Sequence, residues 1–496
     1  MSLRLSILFL LLTSTAFAKE ITLEQAVQNT LMLQADILYS KLNADASKSA
    51  YEGTSGPFDN TLNSSAEVAS GQVPLDGVEK KLYGRDINTV KSQSYKLQLS
   101  KLTRSGVSVQ TSADLLISND IAPDLKQPRE STPTIGVKLN FPIYDLLMEN
   151  QNTTNEKIAL ETSRASLHDY FFQASTSVYQ TVVNYWSYLA AYEQLLIYKK
   201  SEQNTQKMLS DFQKLVEKGE RPMADSNQIK ANLANKHARV VTGEQDLATK
   251  GYELAKSMGV PYEEIELSFP KIQWVKVNDP GKFVVDEFVQ NAYEKRFDIK
   301  SIEITLHSAE LMLESSKRGL KPDLNLYASA YASDKSPHVS GNVISNAGTF
   351  TTGISFSQPL ENSSAKSDVI QKEIALRQMK LNLANAKRKA GIDVVSALNG
   401  FKQSLKAYKF SMETVDLYNE ALKVEGSKFK LGMSTVIDVI NTHENYQNAL
   451  ISNIDNLRIV AVSLAGVVYD TGGMISVVDG EKILVNLPAL YSLNAK

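Results

Sequence analysis

The sequence of 496 residues contains no cysteine. That absence excludes a disulfide framework, a thiolate metal site and an acylated N-terminal cysteine. Beyond the first twenty residues the chain also lacks a run of about 20 uncharged apolar residues, so the sequence predicts no membrane-spanning helix. If this chain crosses a membrane, it must do so with β-strands.

Catalytic and nucleic-acid-binding signatures are missing as well. The five histidines form no pair with metal-ligand spacing, and the chain contains no P-loop, G-x-S-x-G or H-E-x-x-H motif. The formal net charge is only −2, and no patch of lysine and arginine interleaved with aromatic residues occurs. We therefore expect no enzyme, no cofactor, no metal site and no nucleic-acid partner.

The first twenty residues have the composition of a secretory signal. A basic residue, Arg4, precedes an apolar run over residues 5–12, and the small-residue sequence Ala16-Phe17-Ala18 follows. This arrangement predicts a signal peptide over residues 1–18 and a mature chain that begins at Lys19. The apolar run is far shorter than the roughly 20 residues of a membrane anchor.

The rest of the sequence is an internal repeat. Gly219 lies six residues before Asp225, as Gly432 lies six residues before Asp438, and each glycine is followed by another forty positions later. The motif Val-Gln-Asn at 27–29 recurs at 289–291. We therefore divide the chain into repeat 1 (19–260), a connector rich in proline (261–282), repeat 2 (283–473) and a tail (474–496).

Each repeat contains one very long helix. Repeat 1 is predicted to have a helix over about 22–51, a long helix over about 149–217 and a helix over 223–258. Repeat 2 is predicted to begin with a helix, which is followed after the strands by a long helix over about 363–430 and a helix over 434–471. The long helices carry apolar residues at alternating spacings of four and three, which is a coiled-coil seam. At about 68 residues, each would span roughly 100 Å.

Between the first two helices of each repeat, the hydrophobic period changes to two. Residues 134–143 alternate apolar and polar side chains, which predicts a strand with one apolar face. We predict four strands within about 58–143 and two within about 323–360. A soluble sandwich would show the same alternation. The long polar connections at 71–92 and 118–132, beside one very short turn, favour a membrane barrel.

These residues resemble the TolC-like outer-membrane efflux protein family. The resemblance is carried by TLEQAVQNT near residue 22, by Phe141-Pro142 and Gln358-Pro359-Leu360 at strand ends, and by LGMSTVIDVINTHENYQNALISNIDNLRIVAVSLAG from residue 431. It extends over the whole mature chain. One strand pair, within 95–116, is additional to the two strands per repeat that are usual in the family, so six strands per chain are predicted in place of four.

The resemblance implies an α+β membrane protein with two tandem repeats. In the family, a long antiparallel α-helical coiled-coil barrel is continuous with a transmembrane β-barrel formed by a homotrimer. The implied function is the exit duct of a tripartite efflux or type I secretion system, in the outer membrane of a Gram-negative bacterium and extending into the periplasm. Implied partners are a periplasmic adaptor protein, an inner-membrane transporter and outer-membrane lipid. The alternative is a soluble periplasmic coiled-coil adaptor or chaperone without channel activity.

The glycine turns mark the candidate functional site. In the family, acidic residues after such turns constrict the periplasmic entrance, and the resemblance assigns this gate to Asp438, with Asn441 and Asp225 as further candidates. A threefold ring of Asp438 would attract cations. Thr435 and Asp438 also satisfy a capping box, so the acid could instead stabilise the start of a helix.

The turns themselves are candidates for docking the adaptor. Gly219 and Gly432 are expected to adopt backbone conformations that other residues avoid. The resemblance implies that their exposed neighbours contact the adaptor. The predicted docking residues are Gly219, Glu220 and Arg221 in repeat 1, and Leu431, Gly432, Met433 and Ser434 in repeat 2.

Overall fold

The computed structural model describes residues 19–121, 130–147, 151–219, 223–266, 268–276, 284–335 and 347–492. The predicted signal peptide and the predicted docking residues Glu220 and Arg221 lie outside the described residues. The chain divides into two compact units. The first comprises Met1–Ala44, Ala165–Ile302 and Asn382–Lys496, and the second comprises Asp45–Arg164 and Glu303–Leu381. Each unit therefore takes segments from both sequence repeats.

The structure is mainly helical. Its helices are α1 Leu23–Leu33, α2 Ala35–Gly53, α3 Gly77–Tyr83, α4 Ile143–Leu147, α5 Thr154–Glu217, α6 Met223–Met258, α7 Glu263–Glu266, α8 Val285–Lys295, α9 Phe297–Arg318, α10 Ser363–Lys430, α11 Val436–Asp470 and α12 Leu487–Tyr491. Its strands are β1 Lys19–Ile21, β2 Thr61–Pro74, β3 Ile87–Leu102, β4 Ser108–Ile121, β5 Glu130–Pro142, β6 Ser268–Pro270, β7 Asp323–Ser333, β8 Gly348–Ser357, β9 Ile475–Val478 and β10 Lys482–Val485.

The long helices α5 and α10 contain 64 and 68 residues. In α5 no glycine or proline interrupts the helix, so no residue inside it favours an early end. The predicted seam is the buried face of both helices, because its apolar residues recur at spacings of four and three. The buried seam residues are Val178, Val182, Tyr185 and Leu189 in α5, and Val394, Leu398, Phe401 and Leu405 in α10.

The helix predicted over 22–51 is wrong in one respect, because it breaks into α1 and α2 at Gln34. Gln34 is extended (φ −67°, ψ 121°), and Arg296 breaks α8 from α9 in the same way (φ −65°, ψ 125°). Each break faces a glycine with positive φ at the end of another helix, Gly259 after α6 and Gly472 after α11. We call Gln34 with Gly259 the first junction, and Arg296 with Gly472 the second junction.

Glycine is required at both junctions. A Cβ on Gly259 would lie 2.6 Å from the Leu33 carbonyl oxygen, and a Cβ on Gly472 would lie 2.8 Å from the Arg296 backbone nitrogen. Both glycines belong to Schellman motifs, in which Val260 N–H donates to the Ala255 carbonyl (3.1 Å) and Gly473 N–H donates to the Val468 carbonyl (2.8 Å). The two breaks therefore form without any proline or glycine at the break itself.

The core of the first unit is centred on Trp186, which is fully buried. Its indole stacks on Trp274 of the connector, with ring centroids 5.6 Å apart, and meets the ring of Tyr491 in the tail edge-on at 5.8 Å. The Lys276 N–H donates to the Tyr491 carbonyl (2.8 Å). The connector and the tail therefore pack against the same part of α5.

A short parallel pair of strands joins the start of the described chain to the connector. β1 pairs with β6, with Glu20 opposite Phe269. Two tyrosines of α5 hold the pair in place: the Tyr185 hydroxyl donates to the Lys271 carbonyl (3.2 Å) and the Tyr188 hydroxyl donates to the Ser268 carbonyl (3.0 Å). Burial raises the pKa of both phenols, that of Tyr188 to about 12, so both remain hydrogen-bond donors at neutral pH.

The second unit contains one antiparallel sheet of six strands, in the order β2-β3-β4-β5-β7-β8. The prediction of six strands is therefore confirmed. β5 of repeat 1 pairs with β7 of repeat 2, with Gly136 opposite Tyr331, so the two repeats contribute to one sheet. β2 and β8 are its two edges.

The predicted loops in this sheet are partly wrong. Residues 71–92 were expected to be one polar connection, but β2 continues to Pro74 and β3 begins at Ile87. The intervening residues include α3, which Asp76 caps by accepting from the Val78 and Glu79 N–H groups. In the connection expected at 118–132, β4 continues to Ile121 and β5 begins at Glu130. Polar serine, glutamine and asparagine residues hid these strand ends, because they alternate poorly with apolar ones.

One described helix is long and apolar enough to cross a membrane by length and composition alone. In α11, an 18-residue window has a mean hydropathy of 1.4. Core helices of soluble regions pass the same test. In this structure α11 contributes Val460, Ala461, Leu464 and Ala465 to the buried core of the first unit.

Candidate functional site

The turn at Gly432 is a helix ending followed at once by a helix start. The Met433 N–H donates to the Lys428 carbonyl (2.9 Å) and the Gly432 N–H donates to the Phe429 carbonyl (3.1 Å), with Gly432 at φ 75°. This is a Schellman motif, and a residue with a Cβ would be strained there. Leu431 and Met433 are 75% and 74% exposed, so the turn presents two apolar side chains to solvent.

Asp438 caps the helix that follows the turn. Its carboxylate accepts from the Thr435 N–H (3.0 Å) and the Thr435 hydroxyl (2.6 Å), while the Asp438 N–H donates to the Thr435 hydroxyl oxygen (3.3 Å). The Thr435 side chain, the Thr435 backbone and the nearby Lys428 lower the pKa of Asp438. The carboxylate is exposed and ionised at neutral pH. The capping role is therefore present in this structure, and the predicted gate role concerns the same exposed charge.

Asn441 and Ser434 occupy different environments beside Asp438. Asn441 lies three residues after Asp438, hence on the same helical face, and is exposed. Ser434 is half-buried, and its hydroxyl donates to the Glu425 carboxylate of α10. Ser434 therefore ties the turn to α10, whereas Asn441 is available at the surface.

The turn at Gly219 has the same glycine conformation but a different helix start. Gly219 has φ 75°, and its N–H donates to the Val216 carbonyl (2.9 Å). Asp225 lies in the first turn of α6 and is half-buried. Met223 is 72% exposed. In repeat 1 an acid therefore again follows the turn, at the same spacing as in repeat 2.

The two turns lie at the same end of the first unit. A small apolar cluster, separate from the main core, joins the ends of α5 and α10 to the starts of α6 and α11. Its buried members are Leu209, Phe212, Ile229, Leu233 and Val436, with Met208, Val216, Phe429 and Ile440 packed around them. The structure thus brings Gly219, Asp225, Gly432 and Asp438 to one tip, where exposed apolar side chains lie beside charges of both signs.

A buried polar network lies next to this tip, and sequence reasoning missed it. Lys236 of α6 is 2% exposed and pairs with Glu444 of α11. The Gln447 side-chain oxygen accepts from Lys236 and from the Ser201 hydroxyl of α5 (2.8 Å). Burial lowers the pKa of Lys236, although Glu444 opposes that effect. The network cross-links three helices, and no sequence spacing could reveal it because its members come from distant segments.

A second charged cluster surrounds Arg296 at the second junction. Its guanidinium is 11% exposed and donates to Asp298 (2.8 Å), and it lies 3.8 Å from Asp393 and 3.9 Å from Asp470. Burial raises the pKa of Asp470 to about 6, although Arg296 opposes this effect. One cation therefore faces three carboxylates, and burial makes the Asp470 carboxyl group hold its proton more tightly than a free aspartate does.

Comparison with known proteins now identifies the fold. A family model described as outer membrane efflux protein matches residues 288–467. No curated protein sequence matches the chain. Among solved structures, the channel protein CusC is similar to this chain, with a TM-score of 0.68 and 14% sequence identity. The similarity covers 94% of this chain and 96% of the CusC chain. The predicted resemblance to TolC-like outer-membrane efflux proteins is confirmed.

Two further TolC-like structures are similar over nearly the full length. The MtrE outer membrane channel of Neisseria gonorrhoeae, in its open state, has a TM-score of 0.65 at 15% identity, with 91% of this chain and 89% of that chain covered. The CmeC outer membrane channel of Campylobacter jejuni has a TM-score of 0.63 at 14% identity, with 91% and 85% covered. At these identities the similarity establishes a shared fold.

The TolC-like fold agrees with the chemistry of the side chains. The matched family is named for efflux and not for an enzymatic activity. Within the described ranges, no group of three or more histidine, aspartate or glutamate side chains is placed to hold a metal ion.

Proposed function

We propose that this protein is the outer-membrane exit duct of an efflux system in a Gram-negative bacterium. Three copies form one transmembrane β-barrel and one helical tunnel through the periplasm. Cargo enters from an inner-membrane transporter through an adaptor protein and leaves passively. The observation that carries the proposal is the six-stranded sheet, which has an exposed apolar face and, among the described strands, two edges that pair with no further strand.

The apolar face of the sheet requires a non-aqueous environment. On β3, β5 and β8 the apolar side chains alternate with polar ones and point to one side, as the strand register requires. These side chains are largely exposed, which a soluble sheet would avoid by packing them on a core. Examples are Leu97 (49%), Ile135 (47%), Phe350 (72%), Ile354 (67%) and Phe356 (65%).

The edges of the sheet support association of several copies. β2 and β8 each present a row of backbone groups to no other strand of the described chain. Such edges are not tolerated in lipid, so β8 of one copy must pair with β2 of the next until the barrel closes. Three copies of six strands would give a barrel of eighteen.

The helices support the same association through the repeat. Inside the chain, α5 meets α11 where the Tyr179 ring stacks on Tyr469, with centroids 4.7 Å apart. At the equivalent positions, 213 residues away in each case, stand Ile392 of α10 and Lys256 of α6. Ile392 is 59% exposed. A second copy that repeats the internal contact would cover Ile392 with α6.

The tip is the proposed gate and docking surface. Asp438, with Asn441 on the same face and Asp225 in repeat 1, would place a ring of acids at the entrance. Leu431, Met433 and the two glycine turns would contact the adaptor, as would Glu220 and Arg221. Asp438 would serve as cap and gate at once, because a capping carboxylate keeps its charge.

Planar-bilayer recording of the purified protein tests this function. We expect a stable, cation-selective conductance, and we expect Asp438→Asn with Asp225→Asn to lose most of that selectivity. Asp479→Asn, in the β9–β10 turn, is the matched control and should leave selectivity unchanged. Thr435→Ala removes the capping partner but keeps the charge, so it should retain selectivity. Recovery of the protein in the soluble periplasm, or no conductance, would exclude the duct.

A further inference from the structure

Two tyrosines on the polar face of the sheet cover glycines of the neighbouring strands. Tyr327 and Tyr331 are four residues apart on β7 and therefore point to the same side. In the register, Tyr331 is opposite Gly136 of β5 and Tyr327 is opposite Gly353 of β8. Each tyrosine thus has a glycine as its direct cross-strand partner, on opposite sides of β7.

The fit between ring and glycine is close. A Cβ on Gly136 would lie 2.1 Å from Cδ1 and 2.4 Å from Cε1 of Tyr331. A Cβ on Gly353 would lie 2.4 Å from the hydroxyl oxygen and 2.5 Å from Cζ of Tyr327. Any residue other than glycine would therefore displace the ring. Both rings lie down over the neighbouring strands, and Gly136 is buried beneath Tyr331.

The opposite face at the same level has no such feature. The residues of β7 that alternate with the tyrosines are Ala328, Ala330 and Ala332, which are small. Between the tyrosines, on the same face, Ser329 is only 9% exposed. A half-buried ring lying on a strand keeps one side against the backbone and turns the other side away from the sheet. Tyr327 and Tyr331 are each half-buried, so part of each side chain remains accessible on the polar face.

We propose that Tyr327 and Tyr331 form a contact site for planar aromatic cargo on the wall of the duct. The inference rests on the proposed function, because this polar face lines a conduit only when the strands close into a barrel. Offset stacking on an open ring is favourable for any planar aromatic molecule. Three copies would place six rings around the wall. Because each ring lies over a glycine, Gly136 or Gly353, it would not project into the lumen of the duct.

Block of the channel current by a planar aromatic ion tests the site. The probe is ethidium, and tetramethylammonium is a control ion of equal charge without an aromatic ring. We expect the double variant Tyr327→Leu with Tyr331→Leu to need roughly 3- to 10-fold more ethidium for half block, with no change for tetramethylammonium. Tyr327→Phe with Tyr331→Phe keeps the rings and should behave as the unchanged protein. Tyr95→Leu, on the apolar face, should also have no effect.

Gly136, which lies under the Tyr331 ring, allows an independent test of the ring's position through the channel conductance. Gly136→Ala forces the Tyr331 ring off the strand, so we expect a lower conductance in salt alone, restored when Tyr331→Leu is added. Equal ethidium block of the unchanged protein and the double leucine variant would overturn the inference. Ethidium fluorescence with the purified protein in detergent separates this failure from failure of the duct. If the protein does not conduct, equal ethidium affinities of the unchanged protein and the double leucine variant would still overturn the proposed contact site.

Discussion

The two junctions share a backbone design and differ in charge. At both, a helix break faces a glycine of positive φ that ends another helix. At the second junction, Arg296 is surrounded by Asp298, Asp393 and Asp470. The equivalent residues at the first junction are Gln34, Asp36, Gln180 and Ser257. Duplication therefore preserved the backbone geometry while the side chains diverged.

The divergence changes how each junction is filled. Gln34, Asp36, Gln180 and Ser257 line an open polar cleft of about 620 Å³ at the first junction. At the second junction the Arg296 guanidinium occupies the centre of the ionic cluster. Water can therefore reach the first junction, whereas the second depends on a balance of buried charges. Removing a charge should accordingly change the stability of the second junction more than that of the first.

Removing the cation should have the largest effect. Arg296→Met leaves three carboxylates close together without a partner, and we expect a loss of about 3 kcal/mol in the free energy of unfolding. Gln34→Met, its matched control, should cost less than about 1 kcal/mol because a neutral amide leaves no unpaired charge. Urea unfolding followed by helical circular dichroism measures both. Equal losses would mean that the ionic cluster contributes nothing specific.

Replacing the junction glycines tests the feature that both junctions share. Gly472→Ala and Gly259→Ala combine positive φ with a backbone clash, so each should cost about 2 to 3 kcal/mol. Gly480→Ala is the control, because Gly480 also has positive φ (78°) but has open space around it. We expect about 1 kcal/mol there. If Gly480→Ala lowers the free energy of unfolding as much as the other two substitutions, the close approach of Gly259 and Gly472 to the helix breaks is unimportant.

Stability should depend on pH through Asp470. Its pKa is raised in the folded protein to about 6, above its unfolded value. Folding therefore favours the protonated acid: the gain is complete below about pH 4 and disappears as pH rises through about 6. We expect Asp470→Asn to abolish about 1.4 kcal/mol of this dependence between about pH 5 and pH 7.5. Asp36→Asn at the first junction is the control. Urea midpoints at pH 5 and 7.5 that shift equally in both variants would contradict the prediction.

The smallest effect concerns the two helix starts at the tip. Thr435→Ala removes a complete capping box from α11 and should cost about 1 kcal/mol. In repeat 1, Pro222 stands at the position that corresponds to Thr435, so α6 begins at Met223 without a serine or threonine cap. Ser226→Ala, at the fourth residue of α6, should therefore cost less stability than Thr435→Ala. Hydrogen exchange of the first-turn amides measures the difference. Equal protection in both helices would show that the cap at Asp438 has no structural consequence.

Much of the fold was predictable because it follows from local periodicity. The seam around Tyr185 and Phe401 predicts both long helices, and the alternation along 134–143 predicts β5. The breaks at Gln34 and Arg296 were not predictable, since neither residue disfavours a helix and the cause is a glycine of another helix. The Lys236 network escaped for the same reason. At the site, the Thr435–Asp438 spacing predicts the cap. No local pattern in one chain can predict whether the Asp438 side chains of three copies form a gate.

The short β1–β6 pair also has a consequence for the order in which the chain folds. Its two strands are separated by about 250 residues of chain, and closing a loop of that length costs roughly 5 kcal/mol of entropy. A three-residue strand pair cannot offset this cost alone. Tyr185 and Tyr188 must first be positioned by a formed α5 before they can hold Lys271 and Ser268. The β1–β6 pair should therefore form late in folding, after the helical core around α5 has formed.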